Sequence, residues 1–289
     1  MPPMPQAQRM YAGLFLPKRT MNRNMHRWLE ELKATKVKKA MPILSFPCVQ
    51  LMEITVKDLI SNSDNQAKGL KLIADRVNSA AAVSLMDLSL EAECFGAEIR
   101  VSDDEVPTVV GNIVTDTESA NALTIPPIGA GRTSIYLEAA GKAVKLINDR
   151  PVFAGVIGPF SLAGRLVDVS EAMIFCYEEP EMMHTVLSKV TEFLVGYVKE
   201  YKKTGVNGII IAEPVTGVLN ISAIKRISAA MPISQGLLKS PRKNMYGFYA
   251  TMTSMIFPAG MKWKKALKKA RTRWLYPITW SLRKISPAC

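Results

Sequence analysis

The chain has 289 residues, 48% of them hydrophobic and 21% charged, with a formal net charge of +12. That is enough apolar chain for one large domain or two small ones with a sizeable core. Cys48, Cys94, Cys176 and Cys289 stand far apart with no CxxC or CxH pair, which excludes a disulfide framework or a zinc knuckle and points to small buried hydrophobes in a reducing, cytoplasmic compartment.

The charge is unevenly placed. All 25 acidic residues lie between Glu30 and Glu213, together with 18 Lys/Arg, whereas residues 1–29 carry five basic residues and residues 214–289 fourteen, with no acid in either. A folded surface normally disperses both signs, and a long run of one sign repels itself. The sequence therefore reads as a mildly acidic globular body between two basic ends.

Residues 1–24 contain Met1, Met4, Met10 and Met21 but no continuous apolar core of a secretory signal. They read as an extension outside the fold, with translation expected to start at Met21 or Met25 in preference to a basic transit peptide. An opening amphipathic helix is predicted over residues 25–39, with Trp28, Leu29 and Leu32 on one side. A short strand follows at residues 41–46, closed by Pro47. A helix over 64–79 takes Asp64 as its N-cap, and a strand at 80–85 delivers Asp87. Residues 98–101 read as extended, 134–148 as a helix, 152–157 as a buried strand ended by Gly158-Pro159. A long helix over 178–204 enters through Pro180 and buries Met183, Val186, Val190, Phe193, Leu194 and Tyr197. A last strand at 208–212 delivers Glu213-Pro214. No segment has the length and apolarity of a membrane span; residues 244–261 are uncharged but hold too many polar residues, with Pro258 and Gly260.

Strand, polar or carboxylate residue, then helix, repeated along the body, predicts parallel β/α units. In a β/α barrel the chemistry sits at the C-terminal ends of the strands. Asp87 and Glu213 are the candidate catalytic acids there, and Ser45, Phe46, Phe160, Ser161 and Arg165 are candidates to contact substrate or cofactor. Each has a plainer reading. Asp87 also suits a helix cap near Ser89, Glu213 a strand-end residue, and Arg165 a surface or salt-bridged side chain. Residues 103–105 (Asp-Asp-Glu) read as a solvated loop, and Gly129-Ala130-Gly131-Arg132 is a weak phosphate-loop candidate lacking GxxxxGK[ST] around it.

Three of these strand-end segments carry a resemblance: residues 81–96 (AAVSLMDLSLEAECFG), 157–166 (IGPFSLAGRL) and 204–219 (TGVNGIIIAEPVTGVL). In order and spacing they resemble the uroporphyrinogen decarboxylase superfamily, which includes corrinoid-dependent methyltransferases such as the methylcobamide:coenzyme M enzymes. The resemblance spans about residues 25–219 and implies a (β/α)8 TIM barrel with the active site in its mouth. Decarboxylases of the superfamily carry an Arg-Gln-Ala-Gly-Arg-Tyr segment whose arginines meet substrate carboxylates. The matching stretch here, residues 45–54 (SFPCVQLMEI), has no Arg, and the decarboxylase tyrosine falls on Arg165. Binding an octacarboxylate without those cations is a poor electrostatic match. The resemblance thus favours the methyltransferase branch, with Glu213-Pro214 matching its Glu/Asp-Pro pair. That branch implies a methylated corrinoid protein and a small thiol as partners, and a zinc held by His-x-Cys and a later Cys. Only His26 and His184 are present, neither two positions before a cysteine, so this chain is expected to bind no cofactor or zinc itself.

The motifs and the acids stop together near residue 220. The predicted architecture is therefore an α/β TIM-barrel type truncated to about five β/α units (residues 25–219), followed by an acid-free basic tail (residues 220–289) expected to be frameshifted or disordered and removable without effect on the body. Self-association through open barrel edges follows from that picture. Two alternatives stand beside the methyltransferase reading. One is uroporphyrinogen decarboxylation in porphyrin biosynthesis. The other is a non-catalytic fragment whose basic tail, with Trp263, Leu267, Ala270 and Trp274 on one stripe, binds membrane or nucleic acid; no specific nucleic acid is predicted.

Overall fold

A computed structural model of the chain describes residues 23–215, apart from positions 38 and 45, and the strand at residues 246–250. The chain enters through α1 (Met25–Ala34), whose Asn24 cap accepts from Arg27 N. Trp28 and Leu32 of the predicted stripe, joined by Met25 rather than Leu29, pack with Phe153 and Ile210. The helix stops at Ala34 rather than residue 39, because Thr35 takes extended backbone and donates its hydroxyl to Glu31 O at 2.7 Å.

The strand predicted at 41–46 does not form. Pro42 and Pro47 offer no amide to a ladder, and residues 41–44 have no regular structure. Three helices follow: α2 (Cys48–Met52), α3 (Val56–Ile60) and α4 (Ser63–Arg76). Thr55 and Asp58 make a capping box on α3. Asn62, not Asp64, caps α4, its side chain accepting from Asp64 N and Asn65 N; Asp64 pairs instead with Lys142 at 2.9 Å.

Strand β1 (Ala82–Val83) is shorter than the predicted 80–85. Its ladder ends where the Ser84 hydroxyl takes the place of a backbone acceptor and receives Gly155 N at 3.0 Å. After α5 (Leu90–Cys94), the extended piece near residue 98 is β2 (Glu98–Arg100), but it leaves the main sheet and pairs antiparallel with β3 (Thr108–Val110). Then come α6 (Thr117–Ala122), α7 (Thr133–Leu146), β4 (Val152–Ile157), α8 (Pro159–Val167), α9 (Val169–Glu178), α10 (Pro180–Lys203), β5 (Gly208–Ala212) and β6 (Tyr246–Ala250).

Strands β1, β4, β5 and β6 form one parallel sheet in that order. Every residue of β4 and β5 is buried, as expected of apolar runs covered on both faces in a parallel sheet. The predicted stripe of α10 (Met183, Val186, Val190, Phe193, Leu194, Tyr197) is wholly buried in the main core with Phe160, Leu162 and Leu166 of α8. Among the described residues the parallel sheet therefore has four strands; of the five predicted, the one at 41–46 does not form and the one near residue 98 belongs to a separate sheet.

The fourth strand lies beyond the expected boundary. Tyr246–Ala250 falls inside the acid-free tail, yet it pairs with the whole of β5, from Gly208↔Tyr246 to Ala212↔Ala250. The edge of β5 that the sequence reading left open is thus occupied. A chain ending at residue 219 loses that ladder and presents the amides and carbonyls of β5 as an unpaired edge. It should unfold at a lower temperature and aggregate sooner than the full chain; equal unfolding midpoints in calorimetry would show that β6 contributes nothing.

Candidate active site at the C-terminal end of the sheet

Two carboxylates leave the ends of parallel strands, and both are occupied by the protein itself. Asp87 follows β1, its side chain fully buried. Its Oδ1 accepts from Ser89 N at 3.0 Å and from Ser89 Oγ at 2.6 Å; its Oδ2 accepts from Arg132 Nη1 at 2.6 Å and from Tyr136 Oη at 3.2 Å. Asp87 therefore does cap the turn at Ser89, and it also anchors a buried ion pair. Arg132 reaches on to Glu93, with Nε to Oε2 at 2.6 Å. Burial works against the guanidinium charge, but Asp87, Tyr136 and Glu93 together outweigh it and the pKa of Arg132 is raised; Tyr136 is raised by burial and then by Asp87.

Arg132 comes from the turn read as a weak phosphate loop. Gly129 and Gly131 take φ values of +99° and +53°, which glycine adopts without strain. The Gly129 amide is used internally, donating to Thr133 Oγ1 at 3.1 Å. The turn's product is the arginine, placed at the N-cap of α7.

Glu213 follows β5 and is fully buried. Helix α8 begins at Gly158 with no side-chain cap and Pro159 in its first turn, so its next amides need an acceptor from elsewhere. Glu213 supplies it: Oε2 accepts from Phe160 N at 3.0 Å, and Oε1 from Ser161 N at 2.7 Å and from Ser161 Oγ. A carboxylate at a helix N-terminus is favoured by the helix dipole; burial nonetheless prevails and pushes the pKa of Glu213 up to about 7. The fit needs Gly158, where a Cβ would run into the carboxylate and Cβ of Glu213.

The other predicted contacts are placed differently from the sequence reading. Phe160 is a fully buried core side chain, and Ser161, 1% exposed, donates to Glu213 while its oxygen accepts from Val215 N at 3.1 Å. Both are held by the fold rather than presented to a ligand. Phe46 packs against the main core, and Ser45 lies outside the described residues. Arg165, in the last turn of α8, is neither a surface residue nor salt-bridged among the described residues. It is half-buried, with burial lowering its pKa and the charge of Asp87 opposing that. Asp87 and Arg165 are thus within electrostatic reach, whereas Glu213 belongs to a separate cap. Sequence reasoning missed Glu91, Tyr136, Tyr197 and Tyr201. The readable signal was Glu91 inside a run that otherwise packs as core.

The whole-chain comparison decides the family. The model of the uroporphyrinogen decarboxylase (URO-D) family matches residues 32–270. The chain belongs to that family. The match runs past residue 219, where the sequence motifs stop. Among curated relatives, a methylated-thiol–coenzyme M methyltransferase of Methanosarcina mazei is 27% identical over 162 residues, 55% of this chain and 43% of that protein. A uroporphyrinogen decarboxylase of Coxiella burnetii is 23% identical over 155 residues, 51% of this chain and 42% of that one. The aligned part spans less than half the length of these relatives. A solved methyltransferase structure from Methanosarcina mazei superposes with a TM-score of 0.62 at 21% identity, covering 77% of this chain and 68% of that one, which establishes the α/β fold.

The zinc of the family's methyltransferase branch does not fit the donors described. His26 lies on α1 and His184 on α10. Burial holds the Cys48 thiol up at about 12 and those of Cys94 and Cys176 at about 11, the reverse of what a thiolate ligand needs. Among the described residues no three His, Cys, Asp or Glu side chains gather as a metal site, and no helix is long and apolar enough to cross a membrane.

Two tests follow. Gly158→Ala should destabilise the protein by about 1–3 kcal/mol, the usual cost of overpacking, read as a lower urea midpoint; an unchanged midpoint would mean that Glu213 can move aside. The second concerns pH. Glu91 and Glu213 have folded pKa values of about 8 and about 7, raised from 4.5, so folding binds protons between these limits and stability falls as pH rises from about 5 to about 8. Carboxyls with lowered pKa, such as Asp58 and Asp116, act below that window. The thermal midpoint should therefore decline across it, and a rising midpoint would contradict the burial of both acids.

Proposed function

We propose that this URO-D family protein belongs to the corrinoid-dependent methyltransferase branch, carrying a methyl group from a methylated corrinoid protein to a small thiol. The observation that carries the reading is the scarcity of cations at the strand ends. Residues 45–54 hold no Arg, Arg132 is shared by Asp87 and Glu93, and among the described residues Arg165 is the other guanidinium shown within electrostatic reach of Asp87. A porphyrinogen with eight carboxylates would leave most of its charge unpaired there. Similarity to the Methanosarcina mazei methyltransferase over 55% of the chain supports the same branch.

In this reading the substrates enter at the C-terminal end of the sheet, Arg165 meets the polar end of the acceptor, and Asp87 fixes the surrounding side chains. The three described cysteines are free, consistent with a reducing, cytoplasmic setting.

Anaerobic incubation with methylcobalamin and a panel of small thiols, in parallel with uroporphyrinogen, tests the assignment. Slow thiol-dependent demethylation of the cobalamin without coproporphyrinogen is the expected outcome. Appearance of coproporphyrinogen would move the chain to the decarboxylase branch, and inactivity in both assays would favour a non-catalytic protein whose basic ends bind anionic surfaces.

A further inference from the structure

Glu91 has no part in the reading above, yet it is the least expected side chain near the site. It lies on α5, one turn after Asp87, and is 2% exposed. Its Oε1 accepts from Ile157 N at 3.1 Å, tying α5 to the last residue of β4 across 66 positions of sequence. Its Oε2 is buried with no hydrogen-bond partner among the described residues. A buried carboxylate oxygen left unpaired is expensive, whereas the protonated acid turns it into a hydroxyl that can donate.

Of the surrounding charges, Asp87 favours the protonated acid and Arg132 opposes it. From the β1 end comes Asp87, and from α5 itself Glu93 and Cys94. From α7 come Arg132 and Tyr136, and from α10 Tyr197 and Tyr201, whose hydroxyls share a 2.9 Å hydrogen bond and lie within electrostatic reach of Glu91. Arg132 is already divided between Asp87 and Glu93, and it makes no ion pair with Glu91. A third ionised carboxyl would thus add uncompensated charge in an apolar setting. Burial, joined by the repulsion of Asp87, holds the acid at about 8 despite the opposing amides of Ile157 and Glu91 and the charge of Arg132.

We propose that Glu91 is a positioning residue of the site that works in its protonated form, the neutral carboxyl clasping α5 to the end of β4 and so holding Asp87 against Arg132. Deprotonation breaks only the carboxyl O–H bond, with the proton passing to bulk water. The resulting carboxylate accepts more strongly from the Ile157 amide, but a charge buried in an apolar setting and facing Asp87 is drawn toward water, and that loosens the clasp. The device is independent of which reaction the site performs.

Difference infrared spectroscopy on the full chain tests this, with amide exchange at Ile157 as a second readout. The wild type should show the carbonyl stretch of a protonated carboxyl at neutral pH that disappears as pH passes about 8. Glu91→Gln should remove that band, leaving any band from Glu213, which titrates about one unit lower. Glu91→Gln should also keep the Ile157 amide protected at all pH values, because its carbonyl still accepts. Wild type should lose at least tenfold in protection above about pH 8, beyond the intrinsic rise in exchange. Glu91→Leu should lose it throughout. A wild type without the band, a band that survives Glu91→Gln, or a Gln variant that behaves like Leu would each overturn the proposal.

Discussion

The buried pair between Asp87 and Arg132 is the interaction on which the strand ends depend. Asp87 is fully buried, and removing its partner would strand a charge at a cost of about 3–5 kcal/mol. The guanidinium also serves Glu93, so three acids of one short segment compete for one cation. Two obtain it. The third, Glu91, is left to burial and to a single amide. The ionisation state of the segment is thus decided by counting the cations available, before any substrate is considered.

A second carboxylate solves a different problem. Helix α8 must start at once after β4, and the tight turn through Gly158 and Pro159 leaves its first free amides without a local cap. Glu213, arriving on the neighbouring strand, accepts from Phe160 and Ser161. The hydrogen bond from Gly158 N to Ala212 O, at 2.6 Å, locks the same two strand ends together. A strand-end acid in a β/α protein can therefore serve helix capping rather than chemistry. Arg165, carried on the helix that Glu213 fixes, is the side chain whose position this cap determines.

The cation count is also what the proposed branch of the family rests on. Decarboxylase-like and methyltransferase-like relatives are both similar to this chain at 23–27% identity, too close to each other to choose between. The proposed branch therefore rests on electrostatic complementarity, which depends on individual arginines rather than overall similarity.

Much of the architecture was legible because it rests on local patterns. Residues 152–157 and 208–212 are continuous apolar runs whose burial on both faces needs no knowledge of neighbours, and the α10 stripe follows from helical spacing. Asp87 and Glu213 were visible as acids directly after such strands, and the family resemblance came from the same segments. What tertiary structure alone decided was the partner of each polar group. Arg132, 45 residues from Asp87, read as part of a glycine turn, and Ser161 read as a ligand contact until Glu213 was seen to hold it. Glu91 drew no reading of its own, since no pattern in sequence says how many cations will reach a given acid. Strand β6 was hidden for a related reason. Charge composition describes how a segment meets water, whereas joining a parallel sheet requires only that its backbone amides and carbonyls find the free edge of β5.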